Sequence, residues 1–398
     1  MADVATSYDR ILDAARAHVG PSSIPGLSLL VAHDGDILAT GLGELGAGRG
    51  PVRRDSLFRI ASTTKPITAS AILSLITDER LRLDEEVARW LPELASPRVL
   101  RVANGPLQDT VALERPITVR DLLTFTHGFG MTIRMFTDPA PWPIFVACED
   151  ELSLATLGPP RPWVQPPPDV WMARLGSLPL LAQPGTRFLY NTGAAILGVL
   201  AARAGADTFS GVLTDRILAP AGMNDTGFFA HDPSRLASPY RASPAGPVLD
   251  DEIDRAWHHP PNFEDAASGL VSTVDDLHAF AQFLRRNGDG TIAPSLVAQM
   301  TSDQLSPAQK FDGAFGDEFF ATRSWGFGVG VGRDGSWGWD GGLGSSFWVS
   351  PELDLTVIVL TQRLWESPEL PAVHRDIRDA ALATVAGPST RRASRGDR

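Results

Sequence analysis

The chain has 398 residues, of which 43% are hydrophobic and 21% charged, a composition typical of a soluble globular protein long enough for two subdomains. The net charge of −12 argues against nucleic acid as a partner, because a phosphate-binding surface needs an excess of basic residues. A single cysteine, Cys148, excludes an internal disulfide and any metal site built from several cysteines.

The N-terminal residues include Asp3 and Asp9 and no apolar core, so we expect no secretory signal and a cytoplasmic location. No stretch approaches roughly 18 uninterrupted apolar residues, so we expect no contact with membranes. Helical spacing of apolar residues then predicts an amphipathic helix over residues 6–19. Residues 27–32 and 37–40 are predicted to pair as a hairpin around a turn-forming Asp-Gly dipeptide.

The segment 58–76 carries Ser62 and Lys65 in the spacing Ser-x-x-Lys, at the start of a predicted buried helix. Residues three apart share a helix face, so the amine would lie within reach of the hydroxyl. Only two of the 35 basic residues are lysines, and arginine cannot give up its proton. A lysine at this position therefore indicates a general base beside a nucleophile. By itself the short motif is also compatible with a surface serine and a helix-end lysine.

Short capped helices are predicted over residues 81–93 and 117–128. The proline- and tryptophan-rich stretch 138–185 cannot be one regular element. This stretch is either a solvated surface loop or a layer of loops packed over a cleft. Its tryptophans favour the packed layer, because large apolar side chains prefer to be covered. A turn that continues as a buried helix is predicted over 187–203.

The last third of the chain is strand-like. A capped helix is predicted to begin within residues 269–277, and strands are predicted over 325–331, 346–350 and 355–360. A helix over about 370–386 follows.

Strands near both ends, separated by a helical insert, predict an α+β fold in which one antiparallel sheet is formed from both termini and flanked by helices. We expect residues 1–85 and 265–386 to form the α/β body. Residues 86–264 would form a mainly helical subdomain with the proline- and tryptophan-rich cover, and residues 387–398 a disordered tail.

Tyr190 is one of only three tyrosines and lies just before the predicted helix 187–203, in Pro184-Gly-Thr-Arg-Phe-Leu-Tyr-Asn-Thr-Gly193. A Ser–Lys pair needs a second proton carrier near the leaving group, and a phenol could serve. Taken alone, the residue is more simply interpreted as a core tyrosine with its hydroxyl satisfied.

The order of Ser62-x-x-Lys65, Pro-Gly-x-x-Phe-x-Tyr190 and Trp339-Asp-Gly-Gly342 resembles the serine β-lactamase and penicillin-binding-protein superfamily. The closest resemblance is to the class C β-lactamase-like branch, which includes the family VIII carboxylesterases, and it covers nearly the whole chain. Further matching segments are Leu57–Ser62, Leu81–Asp84, Ile117–Gly128, Ala221–Phe228 and Gly269–Thr273.

The resemblance implies a β-lactamase-like fold with Ser62 as the acyl-forming nucleophile, Lys65 as its base or proton relay, and Tyr190 as the other base and later the acid. The oxyanion hole would be the backbone N–H groups of Ser62 and Gly342. Lys65 and Tyr190 could both act near neutral pH if they shared one proton. Neighbouring positions that would contact substrate are Asn191, Thr192, Trp339, Asp340 and Gly341. No cofactor or metal is implied.

Two departures from the family pattern bear on the substrate. The Tyr-x-Asn motif reads Tyr190-Asn191-Thr192, so the usual amide is replaced by a hydroxyl or displaced to Asn191. Trp339 stands where the family has the Lys or His of Lys-Thr-Gly, and it cannot pair with a substrate carboxylate. Trp-x-Gly is a pattern found among the esterases of this branch, and an apolar surface there suits an uncharged acyl or alcohol group.

Other classes are less well supported. No Gly-x-Ser-x-Gly occurs for a Ser-His-Asp hydrolase, and no His-Glu-x-x-His for a metallohydrolase. A catalytically silent scaffold or sensor remains an alternative from a different class, against which the Ser62, Lys65 and Tyr190 set counts.

We therefore expect a serine hydrolase that forms an acyl-enzyme, most simply a carboxylesterase for esters of small or medium acyl groups. Alternatives with the same mechanism are an acyltransferase, an amide or peptide hydrolase and, lower in rank, a β-lactamase or D-alanyl peptidase. The expected partner is a small-molecule ester or amide, and the chain could form a homo-oligomer.

Overall fold

A computed structural model describes residues 2–310, 315, 317–367 and 369–385, so the predicted tail 387–398 lies outside the described residues. The strands, in chain order, are β1 (Gly26–His33), β2 (Asp36–Gly43), β3 (Phe58–Arg59), β4 (Val99–Leu100), β5 (Thr110–Val111), β6 (Tyr240–Arg241), β7 (Val248–Leu249), β8 (Val271–Ser272), β9 (Arg323–Trp325), β10 (Gly330–Gly332), β11 (Trp337–Gly341), β12 (Ser345–Ser350) and β13 (Leu355–Thr361).

The α-helices are α1 (Ala2–Arg16), α2 (Thr64–Thr77), α3 (Val119–Leu123), α4 (Arg134–Thr137), α5 (Pro143–Val146), α6 (Pro168–Gly176), α7 (Thr192–Gly205), α8 (Phe209–Leu213), α9 (Ala219–Ala221), α10 (Asp251–Ala256), α11 (Val274–Arg285), α12 (Pro294–Met300), α13 (Asp317–Thr322) and α14 (Ala372–Val385).

One antiparallel sheet of seven strands organises the fold, in the order β2-β1-β13-β12-β11-β10-β9. The first hairpin turns at Asp34 and Gly35, both with positive φ, as an Asp-Gly turn requires. Strand β1 then pairs with β13, with Leu29 opposite Val359, and thereby joins the two ends of the chain. The predicted α+β fold with a sheet from both termini is confirmed.

The sheet separates two hydrophobic layers, because side chains along a strand alternate between its faces. Leu29 of β1 belongs to the layer that contains Ile11 of α1 and Ile377 of α14. Leu30, its neighbour, belongs to the main core, which contains Ile72 of α2. Helix α2 is buried along nearly its whole length, as expected of a helix that is apolar on all sides.

The chain between residues 86 and 264 supplies α3–α10 and the short strand pairs β4–β5 and β6–β7. The division into a body and a helical subdomain stays a prediction. Among the described residues, no single helix is long and apolar enough to cross a membrane, and α7 with Phe209–Ala221 meets that criterion only as a pair bent by 84°.

Two predicted elements differ from the structure. Instead of the helix predicted over 81–93, the structure has two single 3-10 turns, Val87–Arg89 and Pro92–Leu94, and Pro92, which has no N–H to donate, separates the second turn from the first. The strand predicted over 325–331 is wrong, since β9 ends at Trp325 and β10 begins only at Gly330. Gly328 between them has a φ of +67°, at which the chain turns.

The proline- and tryptophan-rich stretch contains α5, α6 and loops and is not one regular element, as predicted. Trp142 and Trp171 are buried, whereas Trp163 is 39% exposed. Thr156 of this stretch bonds to Asn191 and Thr192, so this part packs behind the turn that carries Tyr190.

Candidate active site

Ser62 lies in the 3-10 turn Ala61–Thr63, which runs directly into α2. The preceding Ala61 has a φ of +43°, a strained conformation for a residue with a Cβ that surrounding contacts must maintain. One such contact is a 2.6 Å hydrogen bond from Ser345 Oγ in β12 to the Ile60 carbonyl. The sheet therefore holds the turn that carries Ser62 in place.

Lys65 occupies the first turn of α2, and its Nζ lies 2.8 Å from Ser62 Oγ. The same amine donates a 2.9 Å hydrogen bond to the Ala267 carbonyl. The side chain is 1% exposed, and this burial lowers the pKa of Lys65 to about 7, against an opposing effect of the Asp265 carboxylate. A large fraction of the amine is therefore neutral near pH 7 and able to accept a proton.

The Tyr190 hydroxyl lies within hydrogen-bonding distance of Ser62, and its oxygen accepts a 2.6 Å hydrogen bond from Trp339 Nε1. Lys65 Nζ lies 4.6 Å from the centre of the Tyr190 ring. Burial raises the pKa of Tyr190 well above its ordinary value, although hydrogen bonds with Ser62 and Trp339 oppose the rise. The phenol therefore keeps its proton near pH 7, while Lys65 is the group that gives its proton up.

The backbone on both sides of Tyr190 fixes its position. Its N–H and C=O pair with Met131 at 3.1 and 2.8 Å. Asn191, the next residue, has a φ of +82° immediately before α7 begins. Strained backbone thus lies next to both Ser62 and Tyr190, a pattern typical of residues held in place for function.

The turn between β11 and β12 approaches Ser62 closely. A Cβ on Gly341 would lie only 2.3 Å from the Ile60 carbonyl oxygen, so a residue with a side chain would push this turn away. A Cβ on Gly342 would meet only open space. This arrangement fits an oxyanion hole in which the N–H groups of Ser62 and Gly342 face a bound carbonyl oxygen.

Trp339 joins the site through its indole N–H as well as its ring. The ring packs edge-on against Trp325 at 4.6 Å and lies 5.9 Å from Phe319. Phe315 lies 4.7 Å from the Tyr190 ring. The Tyr190 hydroxyl therefore lies beside an aromatic wall.

The side chains of Asp340, Asn191 and Thr192, which were predicted to contact substrate, are instead hydrogen-bonded to other residues of the protein. Asp340 lies on the opposite face of β11 from Trp339, where it accepts hydrogen bonds from Ser346 Oγ at 2.7 Å and Trp348 Nε1 at 2.8 Å. Asn191 Nδ2 donates to the Thr156 carbonyl at 2.8 Å, and Thr192 Oγ1 accepts from Thr156 Oγ1 at 3.2 Å.

Asp265 and Ala267 are neighbours of the candidate site that the sequence did not reveal. Asp265 is 3% exposed, and its carboxylate accepts hydrogen bonds from the Ala267 N–H at 2.9 Å and Ser268 Oγ at 2.7 Å. It thereby shapes the loop whose Ala267 carbonyl holds Lys65. The available signal was an acidic residue followed by small residues just before the matching segment at Gly269.

Among the residues that the structure describes, no group of three or more His, Cys, Asp or Glu side chains is placed to hold a metal ion. Cys148 is buried, and burial raises the pKa of its thiol well above the ordinary value, so it is a packed residue rather than a nucleophile.

Comparison with known proteins identifies the family of the chain. A family model described as Beta-lactamase matches residues 11–382, and the chain belongs to that family. Within it, the chain belongs to the class C-like branch and is a β-lactamase-like serine hydrolase, so the predicted resemblance is confirmed.

Two relatives and one solved structure illustrate the match. Protein Rv1367c of Mycobacterium tuberculosis (strain H37Rv) is 34% identical over 362 residues, which are 85% of this chain and 83% of that protein. Esterase EstB of Burkholderia gladioli is 29% identical over 415 residues and 96% of each chain. The structure of EstCE1, a hydrolase with promiscuous acyltransferase activity, has a TM-score of 0.78 at 23% identity and covers 96% of this chain and 99% of its own.

Proposed function

We propose that this protein is a carboxylesterase that cleaves esters of small or medium acyl groups through an acyl-enzyme on Ser62. The observation that carries the proposal is the buried Lys65 amine, 2.8 Å from Ser62 Oγ, with the Tyr190 hydroxyl oriented beside them by Trp339. This set combines a nucleophile, a base that is neutral near pH 7, and a proton donor.

In the proposed reaction, neutral Lys65 takes the proton of Ser62 as Oγ attacks the ester carbonyl. The N–H groups of Ser62 and Gly342 stabilise the oxyanion. When the C–O bond to the alcohol breaks, Tyr190 protonates the departing oxygen, and the proton held by Lys65 restores the phenol. Water then attacks the acyl-enzyme with the proton transfers reversed, and releases the acid.

An ester is favoured over a β-lactam by the groups around the nucleophile. Trp339 presents an aromatic ring and an indole N–H already bonded to Tyr190, and offers no cation for a substrate carboxylate. The Asn191 amide is bonded to Thr156 rather than to Lys65. Esterase EstB, aligned over 96% of both chains, supports the same choice.

Acyl transfer is the second candidate. Aromatic side chains at Phe315 and Trp339 lie beside the Tyr190 ring, at 4.7 and 5.7 Å, and a wall of this kind disfavours water as the acyl acceptor. The name of EstCE1 records promiscuous acyltransferase activity on the same fold.

Steady-state kinetics with p-nitrophenyl acetate, butyrate and dodecanoate, compared with the β-lactam nitrocefin, test the proposal. We expect the short esters to show the highest kcat/KM, and Ser62→Ala to lower it by at least about 10³-fold. Ser74→Ala, a buried serine further along the same helix, is the matched control and should keep near wild-type activity. A higher kcat/KM for nitrocefin than for every ester would contradict the carboxylesterase assignment.

A further inference from the structure

A cavity of about 570 Å³ lies on the face of the sheet that packs against α14, away from Ser62. Its charged lining consists of three arginines and two aspartates, namely Arg323, Arg333, Arg378, Asp334 and Asp379. The lining thus has one excess positive charge, although the whole chain carries −12.

Arg378 is a partly buried member of this set. Within the described ranges of the chain its guanidinium, like that of the more exposed Arg333, has no hydrogen bond or ion pair. Its Cζ lies 5.4 Å from the centre of the Trp348 ring, and Arg323 Cζ lies 4.8 Å from the same ring. One indole therefore keeps two guanidinium groups near each other.

Burial lowers the pKa of Arg378, and the charge of Arg323 also lowers it, whereas the carboxylates of Asp340, Asp379 and Asp334 act in the opposite direction. Two of these three carboxylates, those of Asp334 and Asp340, are hydrogen-bonded to other donors. Asp334 Oδ1 accepts hydrogen bonds from the Ser336 N–H and Oγ at 3.1 and 2.6 Å. Asp340 Oδ1, behind the cavity, is bonded to Trp348, and its Oδ2 lies 3.3 Å from Arg323.

We propose that this cavity binds a compact oxyanion, the phosphate or carboxylate group of a small molecule, between Arg323 and Arg378, with Arg333 at the rim. The planar guanidinium fork matches both kinds of group, and a bound anion would supply the partner that Arg378 lacks. Because the chain as a whole is acidic, affinity depends on these local donors rather than on long-range attraction.

Isothermal titration calorimetry of the full chain with inorganic phosphate, and separately with acetate, tests this site at constant ionic strength set with sodium chloride. We expect saturable binding of at least one anion, and the comparison identifies whether phosphate or carboxylate is preferred. Arg378→Gln should weaken binding by at least about tenfold, because a charge-assisted hydrogen bond is lost. Arg375→Gln, an exposed arginine on the same helix, is the matched control and should bind as the wild type.

The absence of saturable binding by either anion in the wild type, or equal affinity of Arg378→Gln and the wild type, would overturn the proposal. If Arg378→Gln does not fold, Arg323→Gln is expected to show the same loss of affinity and takes its place.

Discussion

Burial of the Lys65 amine disfavours its charged form and, for the same reason, makes the amine suitable as a base near neutral pH. Burial lowers its pKa from 10.5 to about 7, so the protein environment disfavours the charged amine, relative to the neutral one, by roughly 5 kcal/mol more than water does. The Ala267 carbonyl and Ser62 Oγ keep the amine hydrogen-bonded in this buried place. Lysine can act in this way because its amine releases a proton, whereas arginine does not.

The pH dependence of kcat/KM should therefore follow Lys65. Below about pH 7 the amine is protonated, so the rate should fall about tenfold for each pH unit, and above that pH it should level off. Lys65→Arg should lose roughly 10²–10⁴-fold in activity, since arginine cannot act as the base. Lys310→Arg changes the other lysine, in an ion pair with Asp303, and should leave the profile unchanged. A flat wild-type profile between about pH 5 and 8 would show that Lys65 is not the base.

The indole N–H of Trp339 should contribute to catalysis separately from the ring. Trp339→Phe keeps an aromatic side chain but removes the 2.6 Å hydrogen bond to Tyr190, so kcat should fall about tenfold with a smaller change in KM. Trp337→Phe, two residues earlier in β11, is the matched control, since Trp337 packs against Phe347 in the core. Equal kcat values for the two variants would mean that the hydrogen bond has no catalytic role.

At the scale of elements, α3 shows how a helix too short to be stable alone is held in place. Thr118 and Asp121 form a capping box, in which Thr118 Oγ1 accepts from the Asp121 N–H and Asp121 accepts from the Thr118 N–H at 2.9 Å. Arg115 donates two further hydrogen bonds of 2.7 Å to the same carboxylate. Burial alone would raise the pKa of Asp121, but the bonds from Arg115 and Thr118 hold it below its ordinary value.

Asp121→Asn should lower the free energy of unfolding by about 2 kcal/mol near neutral pH, because the Arg115 pair is broken at a buried carboxylate. The lowered pKa means that Asp121 stabilises the fold above the unfolded-state pKa of about 3.8, and that this contribution is lost as the pH falls through the still lower folded-state value. Urea denaturation at several pH values measures the difference between the two proteins.

The matched control for that measurement is Asp109→Asn, which removes a half-exposed carboxylate paired with Arg101 and should change stability by less than about 0.5 kcal/mol. If Asp121→Asn and Asp109→Asn lowered the free energy of unfolding by the same small amount, the capping box and Arg115 would not stabilise α3.

At the scale of the whole molecule, the two ends of the chain meet in one layer. Helices α1 and α14 cover one face of β1 and β13, while α2 and the candidate catalytic residues belong to the other face. Damage to the outer layer should therefore affect stability without changing the geometry around Ser62.

Ile11→Ala tests that separation. Ile11 is fully buried in the outer layer, so the substitution should lower the free energy of unfolding by about 2–4 kcal/mol. The kcat/KM of the protein that remains folded should stay unchanged. Ile37→Ala, at an isoleucine that is 47% exposed in β2, is the matched control and should cost far less in a urea denaturation experiment. A large loss of kcat/KM in folded Ile11→Ala would show that the layers are coupled.

Short-range features were predictable from the sequence. The Ser62 and Lys65 side chains are three residues apart, and the hairpin turn is formed by two adjacent residues, so local rules were sufficient. The hydrogen bond between Trp339 and Tyr190 joins residues 149 apart, and the one between Lys65 and Ala267 joins residues 202 apart. No local pattern encodes such contacts, which depend on how the sheet and helices pack.

The positions of Asp340 and Trp339 show an intermediate case. Alternation along a strand places them on opposite faces once β11 is known to be a strand. The sequence pattern alone, however, did not predict strand β11. Positive φ at Ala61 and Asn191 was likewise unpredictable, since both residues usually adopt negative φ and tertiary contacts impose the strain.

Intact-protein mass spectrometry after brief exposure to p-nitrophenyl butyrate tests the acyl-enzyme on Ser62 most directly. The wild type should gain the mass of one butyryl group, and Ser62→Ala should gain none. Decay of the adduct in water, compared with its decay when alcohols are added, would then separate hydrolysis from acyl transfer. An identical adduct on Ser62→Ala would contradict Ser62 as the nucleophile. So would the absence of an adduct on the wild type at a time when it has already released one equivalent of p-nitrophenol.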